Sequence, residues 1–228
     1  MYLWNDETIA WLDAAARYTK FYKILARRVR EVLPVSPVLL EPGCGPGFFT
    51  RELAEFAGHI TAVDNDERAA AELRHLGLKN VTVICADAFG LRYDRCYDAA
   101  VYCYYGGENE IIDAALGGKC GKVIAIGSVT DKHNFSLEGI RKRCFISLLD
   151  SLDRRGIKYS LEKLDLDFSQ PVRSFDEAVR FLTHYSRAER APEKEEVEKR
   201  LKPLNDDHYP LCIPAHRNVG IAVIGGKD

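Results

Sequence analysis

Val38-Leu39-Leu40-Glu41-Pro42-Gly43-Cys44-Gly45-Pro46-Gly47 joins a short apolar strand to a loop with glycine at alternate positions. Asp64 follows 17 residues after the last glycine, at the end of Ile60-Thr61-Ala62-Val63. Glycine at this spacing lets a backbone turn tightly and approach a ligand that any Cβ would push away. A helix is expected from about 47 to 57, and Asp64 then ends the second strand of a βαβ unit. From that place a carboxylate can accept hydrogen bonds from both hydroxyls of a ribose. The stretch therefore reads as a nucleotide-type ligand site.

The details of the loop narrow the ligand. Phe48 stands where a dinucleotide fingerprint needs its third glycine, and no Gly-Lys-Ser/Thr follows, which excludes a P-loop. Glu41, just ahead of the first glycine, would repel a pyrophosphate but suits a cation or an amino group. A third unit, Val81-Thr82-Val83-Ile84-Cys85-Ala86-Asp87, places one more acid at a strand end.

Working outward, apolar residues at helical spacing from Asp6 to Leu33 give an N-terminal helical segment, stopped by Pro34 and Pro37. A helix is expected over 66–76. Strands are expected at 38–41, 60–63, 81–85, 98–103, 122–126, about 157–167 and 218–224. Alternating strands and helices give an α/β fold: a doubly wound, seven-stranded, mostly parallel sheet with N-terminal helices and a helical insertion before the last strand. The domain plan is a single domain over 1–228. It comprises a helical segment (1–34), a core (35–169 and 218–228) and an insertion (170–217) expected to cap the ligand crevice. In the insertion, helices are expected around Phe175 to Tyr185 and Pro192 to Leu201, followed by an irregular stretch with Pro203, Pro210 and Pro214. Arg141, Lys142, Arg143, Arg154 and Arg155 read as the polar face of a helix whose apolar side includes Ile140, Phe145, Leu148, Leu149 and Leu152.

The chain has 228 residues, 46% of them hydrophobic, enough for one buried core. Its seven cysteines are scattered without a Cys-x-x-Cys pair and read as reduced residues rather than a disulfide frame or metal site. A net charge of -2 with interleaved signs gives no global field for nucleic acid. No run is long enough to span a membrane, and the first residues lack a signal-peptide layout, so the expectation is a cytoplasmic protein without membrane partners.

At the glycine loop and its two following acids, roughly Tyr18 to Gly127, the chain resembles the class I S-adenosylmethionine-dependent methyltransferases. The resemblance implies S-adenosyl-L-methionine as cofactor and no metal. It maps the methionine-binding loop onto Glu41, Gly43, Cys44, Gly45 and Gly47. The ribose acid maps onto Asp64 with its neighbour Asn65, and the adenine contacts onto Ala86 and Asp87. Tyr18, in a segment similar to one that folds over the cofactor in related small-molecule enzymes, and Tyr102 complete the set.

The first half, with Phe-Thr-Arg-Glu-Leu after the loop, also looks like the ribosomal RNA adenine dimethyltransferases. Those enzymes carry an Asn/Asp-Pro-Pro-Tyr-type motif after strand four, where this chain has Tyr102-Cys103-Tyr104-Tyr105-Gly106-Gly107-Glu108. The expected activity is methyl transfer to a small molecule, with no nucleic acid partner. An RNA methyltransferase and a non-catalytic cofactor-binding module are the alternatives.

Chemistry in this fold class lies outside the C-terminal ends of the strands. His133, Glu108 and Tyr104 are therefore the first candidates for catalytic roles, and Asp131, His184 and His208 are further candidate bases. The strand-four tyrosines offer an aromatic wall for a sulfonium or a flat substrate, or pack against neighbouring helices.

Overall fold

A computed structural model describes residues 4–91, 96–130, 134–136, 144–186 and 190–225. The chain opens with α1 (Asp6–Thr19) and α2 (Phe21–Glu31). Asn5 starts α1 with a capping box: its side chain accepts from the Thr8 amide at 2.9 Å and its own amide donates to the Thr8 hydroxyl. The expected helical segment is thus two helices, broken at Lys20, whose φ of 56° ends one and starts the other.

The core alternates as expected: β1 (Val38–Pro42), α3 (Phe48–Ala54), β2 (His59–Asp64), α4 (Glu67–His75), β3 (Val81–Cys85), β4 (Tyr97–Cys103), α5 (Glu108–Leu116), β5 (Cys120–Ser128), α6 (Cys144–Arg154) and β6 (Tyr159–Asp167). The insertion contributes β7 (Gln170–Val172), α7 (Phe175–Ser186), α8 (Lys194–Arg200), β8 (Lys202–Pro203) and β9 (Leu211–Ile213). β10 (His216–Ile224) completes the main sheet.

Seven strands lie in the order β3-β2-β1-β4-β5-β10-β6. β10 runs antiparallel to both neighbours, with Val219 opposite Ser128 of β5 and His216 opposite Asp167 of β6. All other pairings in this sheet are parallel. One layer of side chains, including Leu39, Ile60, Val101, Ile124 and Val219, packs with Phe21, Leu25 and Val29 of α2. The opposite layer, including Leu40, Val63, Ala100 and Ala125, packs under Ile111 and Ile112 of α5 and Phe145, Leu148 and Leu152 of α6. Central strands covered on both faces explain their near-continuous apolar runs.

The insertion differs from expectation. Its proline-containing stretch is not irregular throughout, because β7, β9 and β8 form a small antiparallel sheet of their own. Pro171 and Pro203 lie within it and Pro210 and Pro214 flank β9. Such short strands are readily missed because proline argues against a ladder.

The insertion is tied to α1. Gln170 donates through Nε2 to the Trp11 carbonyl at 3.1 Å, and Trp11 Nε1 donates to buried Glu177 at 3.2 Å. Trp11 also meets Phe181 edge-on with centroids 5.3 Å apart. Six cysteines of the described residues are free thiols. Among the described residues no helix is long and apolar enough to cross a membrane.

Candidate functional site

The glycine loop leaves β1 at the C-terminal rim of the sheet and turns back into α3. Gly43 and Cys44 both donate to the Val63 carbonyl, at 2.7 and 3.1 Å, which anchors the loop to the end of β2. Gly43, Gly45 and Gly47 have φ of 70°, 54° and 85°, in the left-handed region that side chains resist. Close packing adds a second requirement. A Cβ on Gly43 would run into the Tyr105 ring, one on Gly47 into Leu73, and one on Gly45 would sit 3.0 Å from Trp4.

Asp64, 9% exposed, ends β2 beside this loop. One carboxylate oxygen accepts from the Gly45 amide at 2.8 Å and the other from the Asp66 amide at 3.0 Å. Asp64 thus holds the loop in shape, a role that sequence reading missed, and each oxygen keeps lone-pair capacity for a further donor. Exposed Asn65 follows it, and Asp66 caps α4 through the Ala69 amide. Ala86 donates to the Asp64 carbonyl at 2.9 Å, which sets the end of β3 beside β2. Asp87, exposed, turns the chain by accepting from the Phe89 amide at 3.1 Å.

Glu41 is the unusual group. It is 2% exposed, and its Oε2 has no hydrogen-bond partner. Burial pushes its pKa up to about 8; the nearby Thr50 hydroxyl works against that rise and the Asp64 charge adds to it. An orphaned buried carboxyl is costly unless something donates to it. Neighbouring Cys44 is buried too, and burial raises its thiol pKa.

Successive tyrosines divide the rim after β4. Tyr105 folds toward the glycine loop, stacked on Phe89 with centroids 5.4 Å apart. Burial raises its pKa first, followed by the charges of Asp64 and Asp87. Tyr104, with a φ of 55°, turns the other way, toward Phe21 at 6.4 Å and the Arg217 guanidinium at 5.2 Å. A left-handed non-glycine residue at a strand end marks a local strain held by its surroundings. Burial pushes the Tyr104 hydroxyl up to about 12, with Arg217 pulling against it.

The other expected site residues separate. Tyr102 is buried in the layer beneath α5, where a Cβ on Gly106 would approach its ring. Tyr18, on α1, is 44% exposed. Glu108 begins α5 and accepts from the Ser151 hydroxyl at 3.0 Å, facing α6 in an open groove shared with Asp150 and Arg154. His184 packs on Trp11 and Tyr185, and His208 on Tyr209. His133, Asp131 and the basic residues 141–143 lie outside the described residues.

Residues 39–115, from β1 through the rim tyrosines into α5, match the model of a methyltransferase domain family. This stretch, a third of the chain, carries a methyltransferase domain. Such a domain implies S-adenosyl-L-methionine as cofactor.

Solved structures share the methyltransferase's fold. The precorrin 8w decarboxylase of Methanobacterium thermoautotrophicum is 20% identical, with 90% of this chain and 89% of that one covered at a TM-score of 0.54. A tRNA methyltransferase from Aquifex aeolicus is 16% identical over 92% and 69% of the two chains, at 0.55. An O-methyltransferase from Thermotoga maritima is 16% identical over 92% and 66%, also at 0.55. At such identities the likeness is one of fold. No curated protein sequence matches the chain.

The glycine loop fits such a cofactor at one point: the unpartnered, buried Glu41 oxygen suits a donor such as an α-ammonium group.

Proposed function

We propose that this methyltransferase acts on a small molecule, with 170–217 serving as a cap beside the acceptor site. The observation that carries the reading is exposed Tyr104 at the C-terminal rim, set beside the buried ring of Phe21 and the Arg217 guanidinium. Phe168 meets Phe21 edge-on at 4.8 Å. The insertion emerges from this rim directly after β6 and docks on α1, the helix whose leading residue Trp4 also stands over Gly45 of the glycine loop. Three of the insertion's eight described lysines and arginines are ion-paired: Arg180 with Glu7, Arg190 with Glu196 and Lys194 with Glu198. Each such pair takes a cation away from any phosphate-tracking groove.

In this reading Glu41 and the loop glycines hold the methionine part of the cofactor. Asp64 with Asn65 serves the ribose, Ala86 and Asp87 the adenine, and Tyr18 closes from above. The bound cofactor supplies an electrophilic methyl on a sulfonium. The chain contributes position and water exclusion, which can provide much of the acceleration without a dedicated base. Tyr104 belongs to the acceptor wall. His133, next after β5, remains the proposed base for an acceptor that must lose a proton.

Thermal unfolding with S-adenosylmethionine, S-adenosylhomocysteine and NAD, followed by a screen of small acceptors and RNA for S-adenosylhomocysteine release, tests the reading. Stabilisation by both adenosyl ligands alone and turnover with a small acceptor are expected. Turnover confined to RNA would overturn the acceptor assignment.

A further inference from the structure

Arg217 lies near the start of β10. Because β10 is antiparallel, this end reaches the C-terminal rim, where the parallel strands also finish. Its guanidinium stacks on Phe168, 3.4 Å from the ring centroid, and lies 5.7 Å from that of Phe21 and 5.2 Å from that of Tyr104. The side chain is half-buried, and no carboxylate oxygen of the described residues comes within ion-pair distance of it. The neighbouring acids look elsewhere: Asp165 faces His216 at 3.3 Å, and Asp167 accepts from the Ser169 amide at 2.8 Å.

A guanidinium laid over the Phe168 ring, with Tyr104 and Phe21 beside it, is positioned without being neutralised. The ring covers one face, whereas the N–H groups lie in the guanidinium plane and need in-plane acceptors. A planar fork of this kind matches the two oxygens of a carboxylate. Of the rings around it, Phe21 and Phe168 are buried and Tyr104 is exposed, so a ligand at Arg217 would meet the charge beside Tyr104.

We infer that Arg217 is the anion-recognition residue of the acceptor site, and that the acceptor is a small planar molecule bearing a carboxylate. The inference rests on the small-molecule reading above. The carboxylate docks in the guanidinium plane and the flat body of the acceptor packs against the exposed ring of Tyr104. Arg217 is a specificity residue that sets the orientation of the acceptor.

The test uses the full-length protein saturated with S-adenosylhomocysteine, titrated calorimetrically with benzoate, with its neutral isostere benzamide and with a short single-stranded RNA. Benzoate is expected to bind about tenfold more tightly than benzamide, a margin that Arg217→Gln abolishes and Arg217→Lys partly restores. The affinity for S-adenosylhomocysteine stays unchanged in both variants. Equal binding of benzoate and benzamide, binding of neither, or a benzoate preference that survives Arg217→Gln would overturn the inference. If Arg217→Gln does not fold, the benzoate-to-benzamide ratio in the native and Arg217→Lys proteins decides. RNA binding that falls steeply with salt and is indifferent to benzoate would overturn the small-molecule reading itself, whereas benzoate and benzamide bound equally well would sink only the role of Arg217.

Discussion

Around the glycine loop, the functional groups come from the ends of adjacent strands: Glu41 from β1, Asp64 from β2 and Asp87 just beyond β3. Around Arg217, four side chains meet from residues 21, 104, 168 and 217, contributed by a helix, two strand ends and the final strand. The proposed cofactor half is fixed by backbone geometry, by glycines at positive φ and amides on carbonyls. The proposed acceptor half is fixed by side-chain packing across long sequence distances. One half can therefore stay constant while the other is rebuilt for a different substrate.

Separation of the halves can be broken from either side. The largest effect is expected for Phe181→Ala, which empties the aromatic cluster of Trp11, Phe135 and Tyr185 that docks the insertion. Stability should fall by about 3–5 kcal/mol, the usual loss for a buried phenylalanine. The folded fraction should keep its affinity for S-adenosylhomocysteine, measured by titration below the lowered melting point. Loss of that affinity would show that the two halves are energetically one.

The next effect concerns pH. Native Glu41 holds its proton to about pH 8, whereas the unfolded chain releases it near its ordinary value of 4.5. Its contribution to stability is therefore full below about pH 4.5, declines as pH rises and is lost above 8, a change on the order of a few kcal/mol. Glu41→Gln should flatten that decline in urea unfolding curves. An ammonium group beside Glu41 favours the charged form, so S-adenosylhomocysteine binding near pH 7 should release about one proton, counted by calorimetry in buffers of different ionisation heat. Glu41→Gln should release none.

Asp64→Ala removes the acceptor of the Gly45 amide together with the proposed ribose contact. S-adenosylhomocysteine binding should weaken by roughly 1.5–3 kcal/mol, the range for bonds to a charged group; unchanged affinity would refute the ribose assignment. The smallest effect is expected for Trp11→Phe, which deletes the donor to Glu177 while keeping an aromatic ring. A stability loss of about 1–3 kcal/mol without change in cofactor affinity would place that bond in the insertion alone.

The same contrast explains what could be read from the sequence. The glycine loop and the strand-end acids were legible because their signals are local: glycine spacing, an acid 17 residues on, and one more after the third strand. The break at Lys20 carried no glycine or proline to announce it, and the small sheet of β7, β9 and β8 was hidden by the prolines within and beside it. Tyr102 and Tyr104 looked equivalent in a run of aromatics. Alternation along β4 sends the Tyr102 ring into the core beneath α5, and the positive φ at Tyr104 turns that ring to the rim, neither of which composition reveals. Arg217 escaped notice because its meaning lies in Phe21, Tyr104 and Phe168, residues that only the tertiary fold brings to it.

The position of β10 has a consequence for how the molecule is made. Synthesis proceeds from the N-terminus, so the glycine loop and its acids leave the ribosome well before Val219 can slot between Ser128 of β5 and Leu164 of β6. Until that late insertion, β5 and β6 each lack a neighbour, and closure requires pairing across about ninety residues, a slow class of step. The contact of Phe168 with Arg217 is therefore among the last parts of the molecule to be completed.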